Sequence, residues 1–156
     1  MTAWSAMLET AAVGFGAGVV STALMSILQL PFWRRWSVVG VLEWHENVCI
    51  AARVFNRRPE EMLAHSFLFH FLNGGLASMF YALAVHGLGF LKWLDVWVLG
   101  VLFGLFLWIA TLAPIHKPIT GVSITRHPLG PWPAAVSILL HIVYGLSTAY
   151  VAELAL

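Results

Sequence analysis

The sequence predicts an all-α integral membrane fold: a four-helix bundle built as two helical hairpins, with a cytoplasmic amphipathic helix between spans 1 and 2. Three observations predict it. The 156 residues are 60% hydrophobic and only 10% charged, where soluble domains carry about 25% charged residues. Four runs are apolar enough to cross a hydrocarbon core of ~30 Å, which takes about 20 helical residues. Seven of the eight basic residues fall in two loops on one side of those runs. The length allows a single domain.

Span 1 is expected over residues 11–32. The first ten residues lack Lys and Arg and contain Glu9, so the positive region of a cleaved signal peptide is missing and span 1 is expected to stay in the mature chain. Residues 37–56 are too polar to span. Their apolar members Val38, Val41, Leu42, Val48, Cys49, Ala52 and Phe55 recur at helical spacings. That predicts an amphipathic helix on the cytoplasmic face, with Glu43, Glu46, Asn47 and Arg53 turned to water. Pro59 suits a first helical turn leading into span 2, residues 66–90, with Glu60 and Glu61 at its positive end. Gly87 and Gly89 make a tight link to span 3, residues 94–113, which Pro114 and Pro118 stop. Residues 114–132 hold Pro114, Pro118, Pro128 and Pro131 and read as an extended loop. Pro133 opens span 4, residues 133–155.

Orientation follows from charge. Arg34, Arg35, Arg53, Arg57, Arg58, Lys117 and Arg126 lie on one side and Lys92 on the other. The positive-inside rule puts loops 33–65 and 114–132 in the cytoplasm and both termini outside the cell membrane. Trp4, Trp93 and Trp97 mark the outer interface, and Trp33, Trp36 and Trp132 the inner one. The net charge of +1 suggests no nucleic-acid partner, and Cys49, the single cysteine, rules out an intramolecular disulfide.

Small residues supply the packing. Gly14, Gly18, Thr22 and Ser26 step by four along span 1, and Gly100 and Gly104 do so in span 3. Such seams let helix backbones approach where lipid gives no hydrophobic drive. The Gly14, Gly16, Gly18 cluster has no preceding strand and is not read as a phosphate loop. Spans 2 and 4 carry matching ridges, Ser66, His70, Gly74, Ser78, Ala82 and Ser137, His141, Gly145, Ala149, Glu153. Both spans run in the same direction, so the chain reads as a weak parallel repeat that places His70 and His141 in comparable layers.

Histidines inside membrane-length segments are expensive to bury and mark functional candidates. Three chemistries are open. His70 and His141 could supply two axial nitrogens to a b-type haem, with Gly74 and Gly145 leaving room for the macrocycle. His45, Glu61 and His65, with Glu43, Glu46, His116 and His127 nearby, could form a metal site at the cytoplasmic mouth. A small-solute or proton transporter, working as an oligomer, is the third. Against these stands the structural alternative, in which each histidine hydrogen-bonds within the bundle. No arrangement of Ser, His and the single aspartate Asp95 makes a recognisable catalytic motif, so no enzyme is expected.

The segments STALMS, HFLNGGLASMFYAL, GVLFGLFLWIATLAPIHKPITG and LLHIVYGLSTAYV resemble an uncharacterised family of small four-span prokaryotic membrane proteins. In it a histidine precedes a glycine by four residues in spans 2 and 4, and span 3 ends in a proline-glycine loop. The resemblance implies the fold and carries no activity; the insert between spans 1 and 2 departs from it. The favoured reading is an accessory or structural subunit of a larger membrane complex, for instance a respiratory one, surrounded by lipid and partner subunits. A two-histidine haem electron carrier is the alternative.

Overall fold

The computed structural model describes residues 2–156, except for the side chains of Phe90 and Lys92. Lys92, the one basic residue expected on the outer side, and Phe90, the expected end of span 2, therefore lie outside the described side chains. The described residues form helices and turns with no strand. The helices are α1 (Ala3–Trp36), α2 (Leu42–Phe55), α3 (Leu63–Gly87), α4 (Val96–Leu107), α5 (His116–Thr120) and α6 (Trp132–Ala155). A π-helical turn, Trp108–Leu112, extends α4.

α1, α3 and α6 are long and apolar enough to cross a membrane; Val96–Leu112 is shorter. α1 starts earlier and ends later than the expected 11–32. Thr2 caps it by accepting the Ser5 N–H at 3.2 Å, and Pro31 sits inside it. Pro31 forfeits one hydrogen bond near the end, and Arg34 and Arg35 in the last turn complement the negative end of the helix dipole. Asp95 caps α4 by accepting the Trp97 N–H at 2.8 Å.

The two predicted hairpins form: α1 packs along α3, and α4 along α6. The small-residue seams are their contacts. A Cβ on Gly14 would lie 2.6 Å from that of Ala82, and one on Gly18 equally close to that of Ser78. Thr22 fits its hydroxyl against Gly74, while Gly100 and Gly104 meet the α6 backbone at Gly145 and His141. α1 also packs on α6, whereas the α3 and α4 backbones stand apart and meet through Tyr81 and Phe103, ring centroids 4.7 Å apart. The long helices therefore stand in the order α3, α1, α6, α4, with the α3–α4 side the least closed.

Three expectations need correction. The helix at 37–56 does form over Leu42–Phe55, and Asn56, in the left-handed region at φ 50°, ends it. The Arg57 N–H then bonds the Ala52 carbonyl at 2.9 Å, as in a Schellman motif. Its polar face is not in water, however: Glu43, Glu46 and Asn47 are each only 7% exposed, and of the four only Arg53 is exposed. The reason is that α2 docks against α3, α5 and α6, and its polar stripe meets polar partners there. Second, 114–132 is not wholly extended. His116–Thr120 is helical because Pro118 lies in the first turn, where its missing N–H has no intrahelical partner to lose. Third, Pro59 opens a separate 3₁₀ turn, Pro59–Glu61, rather than the first turn of α3.

Contacts between the two interhelix segments gather them at one end. Arg53 donates to the carbonyls of Pro118 and Ile119 at 2.9 and 2.8 Å. The His127 Nε2 lies 3.2 Å from the Val39 carbonyl.

Candidate functional site

Apolar helices cannot leave polar groups unmatched inside, so the polar side chains of α1, α3 and α6 indicate what α2 must supply. Gln29, the only glutamine of the chain, is fully buried in α1. Its amide donates to Glu43 Oε2 at 2.9 Å, and its carbonyl accepts the Trp44 indole N–H at 2.7 Å. Trp44, 1% exposed, packs edge-on against Phe67 and tilts over His70, with centroids 4.4 and 4.8 Å away. These contacts fix α2 against α1 and α3.

Glu43 is the hub. Its Oε1 accepts the Ser137 hydroxyl and lies 3.3 Å from His141 Nδ1. Ser137 also accepts the Trp108 indole N–H at 3.1 Å, from the π-helical turn. Burial opposes charge on Glu43, but the hydrogen bond and charge of His141 and the Ser137 hydroxyl outweigh it and hold the carboxyl below its ordinary range. His141 Nδ1 also lies 2.9 Å from the Ser137 carbonyl. Two acceptors at Nδ1 place the proton there and leave Nε2 as the free ring nitrogen.

His70 has a different partner. Asn73 donates to Asn47 Oδ1 at 3.2 Å, which turns the Asn47 amide nitrogen to His70 Nδ1 at 3.3 Å. The proton of His70 then belongs on Nε2, which is buried without a partner.

Both histidines border one cavity of about 360 Å³, within the range of small-molecule sites. Its polar part includes Glu43, Glu46, Asn47, His70, Asn73 and His141, and much of the remaining wall is apolar. Glu46, His70 and Thr22 border it, and one polar atom of each, Oε2, Nε2 and Oγ1, is buried with no hydrogen-bond partner. The exposed members of the lining, among them Phe80 at 66%, lie on α3 and on α4 and its continuation. The mouth therefore opens between α3 and α4, whose backbones stand apart.

The expected pairing of His70 with His141 is thus a shared cavity, and the two lie at similar distances from the starts of their helices. At 1.5 Å per residue, His70 lies roughly 10 Å and His141 roughly 13 Å from the starts of their helices. The repeat fails in detail. Ser137 bridges α2 and α4, whereas Ser66 bonds only its own helix, at the Leu63 carbonyl. Gly74 and Gly145 do not leave room for a macrocycle, because Thr22 and the α4 backbone occupy the space beside them.

The metal grouping is not assembled. Glu61 pairs with Arg58 at 2.8 Å in an exposed turn, His65 lies tilted against Phe55, and His45 packs on His116 with ring centroids 5.6 Å apart. Among the described residues no three His, Cys, Asp or Glu side chains converge to hold a metal ion.

Gln29, Trp44 and Trp108 were not singled out from the sequence, and Asn47 was expected only to face water. A lone glutamine in an apolar run was the available signal for Gln29. For Asn47 it was the stripe Glu43, Glu46, Asn47, Ile50, which lies on one helix face. No family model matches the sequence, and no curated protein or solved structure matches it either.

Proposed function

We propose that this chain crosses the bilayer four times, keeps the α2 end in the cytoplasm, and holds the polar head of a lipid-soluble small molecule in the cavity between α3 and α4. The observation that carries this reading is the pairing of an opening between two helices with buried polar atoms that lack partners, Glu46 Oε2, His70 Nε2 and Thr22 Oγ1. Unpaired buried donors and acceptors favour a ligand that completes them. In a bilayer the opening faces acyl chains, so a molecule would enter sideways, head first. The exposed apolar residues Val20, Leu68, Phe106 and Leu139 suit a lipid surround. Val96–Leu112, about 26 Å long at 1.5 Å per residue, is close to the shortest spanning length.

The two faces of the site divide the work. Glu43 fixes the orientation of the His141 ring through Nδ1, and His70 Nε2–H offers a donor. A head group bearing an acceptor would satisfy His70. Haem b belongs to the lipid-soluble class, but the packing of Gly74 and Gly145 counts against it.

The second reading is an accessory subunit of a larger membrane complex, for instance an energy-converting one. The α3–α4 side, the least closed, favours it too, since a partner helix would cover that side. Gentle purification separates the two readings. The ligand reading expects a lipophilic molecule in the organic extract at about one per chain, lost in His70→Phe. A stoichiometric partner protein with no such molecule supports the subunit, and finding neither overturns both. Sidedness is read with an impermeant thiol reagent on Arg126→Cys in a Cys49→Ala background. Labelling is expected only after the cells are opened.

A further inference from the structure

Outside the Glu43 hub lies a second group of titratable side chains, between α2, α5 and the loop that follows α5. His116 is fully buried, yet neither ring nitrogen has a hydrogen-bond partner. Its Nδ1 lies 3.4 Å from Glu46 Oε2, also buried and unpartnered. Glu46 in turn borders the cavity. On the other side the His45 ring packs against His116 and reaches partial exposure, with Nδ1 buried and unpaired. A buried imidazole kept free at both nitrogens, between a partly exposed histidine and a carboxylate, has the arrangement of a proton carrier. A neutral imidazole can take a proton at one nitrogen and release one from the other.

We propose that His45, His116 and Glu46 form a proton relay that connects the α2 end of the protein with the cavity. A proton arrives at His116 Nε2 from the His45 side, directly or through water, and makes the imidazolium. The Nδ1 proton then passes to Glu46 Oε2. The neutral acid turns towards the cavity and gives the proton to a basic atom there, which restores the carboxylate; His116 is left neutral with its proton on Nε2, and a flip of the ring resets it. One proton moves inward, and no electron or other bond changes. This deepens the ligand reading, on which it rests for the final acceptor. The cavity's molecule is then one whose head group takes up or releases a proton in its chemistry.

The surrounding charges suit such traffic. Glu46 is faced by His116 on α5, Glu43 on its own helix and His141 on α6, with His70 on α3 lining the same cavity and Arg53 bonded to the α5 carbonyls of Pro118 and Ile119. Burial raises the Glu46 carboxyl above its ordinary range against the opposing pull of His116. Burial, then the charges of His116 and His127, push His45 down to about 4. His45 therefore stays neutral and passes protons without holding them.

Infrared spectroscopy of the full chain in nanodiscs tests the relay without any ligand. A protonated-carboxylic-acid band should titrate in the wild type, vanish in Glu46→Gln and survive in Glu43→Gln. On transfer to deuterium oxide the band should shift at once in the wild type and at least tenfold more slowly in His116→Phe. His45→Gln, which alters a partly exposed site, should slow it as well and guards against misfolding of the first variant. Equal exchange rates in wild type and both His variants would overturn the relay, as would a band indifferent to Glu46→Gln. Loss of the bound molecule with normal exchange kinetics would instead sink the ligand reading alone.

Discussion

His141 Nδ1 on α6 lies 3.3 Å from Glu43 Oε1 on α2, joining two helices nearly a hundred residues apart in sequence. The same oxygen takes the Ser137 hydroxyl, and the other oxygen takes the Gln29 amide. One carboxylate thereby ties α2 to both hairpins.

Removing that carboxylate leaves several buried donors without an acceptor, at about 1–3 kcal/mol each. Glu43→Leu should therefore lower the thermal midpoint in detergent by far more than Glu60→Leu, whose side chain is exposed. His141→Leu should likewise perturb the protein more than His86→Leu, because His86 is exposed near the end of α3. Light-scattering-detected melting checks both pairs; equal midpoints within either pair would contradict the hub.

The helix seams make a prediction of opposite signs. Gly145 faces the α4 backbone at Gly100 and Gly104, whereas nothing lies within 4 Å of a Cβ placed on Gly16. Gly145→Leu should overpack the α4–α6 contact and destabilise by about 1–3 kcal/mol. Gly16→Ala adds no contact and removes glycine's backbone freedom, so it should stabilise by up to about 1 kcal/mol. Thermal midpoints and α4–α6 cysteine cross-linking check the two signs.

These seams were legible in the sequence because small residues at steps of four have one physical use between helices in lipid. The long apolar helices were legible for a similar reason, since an apolar helix of that length cannot be solvated by water along its whole surface. The direction of α2 was not. Amphipathic spacing identifies a polar face without saying whether water or a polar interior meets it; Glu43 and Asn47 found hydrogen-bond partners on α1, α3 and α6, and Glu46 lies beside His116 on α5. Ser66 and Ser137 show the same limit. Their neighbours along the helix match, and only distant partners, Glu43 and Trp108, make one of them a bridge.

Acid stability should follow His45. Its folded value of about 4 lies below its ordinary value, so the unfolded chain binds more protons between pH 6.5 and 4. Stability is then full above 6.5 and falls as the pH drops towards 4. His127, lowered by burial, adds to the same limb. His45→Gln should flatten that limb in midpoint-against-pH curves. Glu46 has the opposite sign: its raised value favours the folded state at low pH and loses that contribution as the pH rises through it. Glu46→Gln should therefore gain on the wild type towards alkaline pH. Parallel curves for all three proteins would refute the burial of these groups.

The final prediction separates the cavity from the scaffold. Ala77 borders the cavity on α3, half-buried, one turn from Phe80 near the mouth. Its neighbours across the opening belong to α4, whose backbone stands apart from α3. A larger apolar side chain there enters space rather than a packed seam, so it should fill the cavity with little strain. Ala77→Phe should leave the thermal midpoint unchanged or raised, since added apolar contact offsets the lost opening. The same variant should lose the lipophilic molecule from its organic extract, because the aromatic ring occupies the route between α3 and α4. Retention of that molecule at wild-type stoichiometry, in a variant of wild-type stability, would place it elsewhere on the protein.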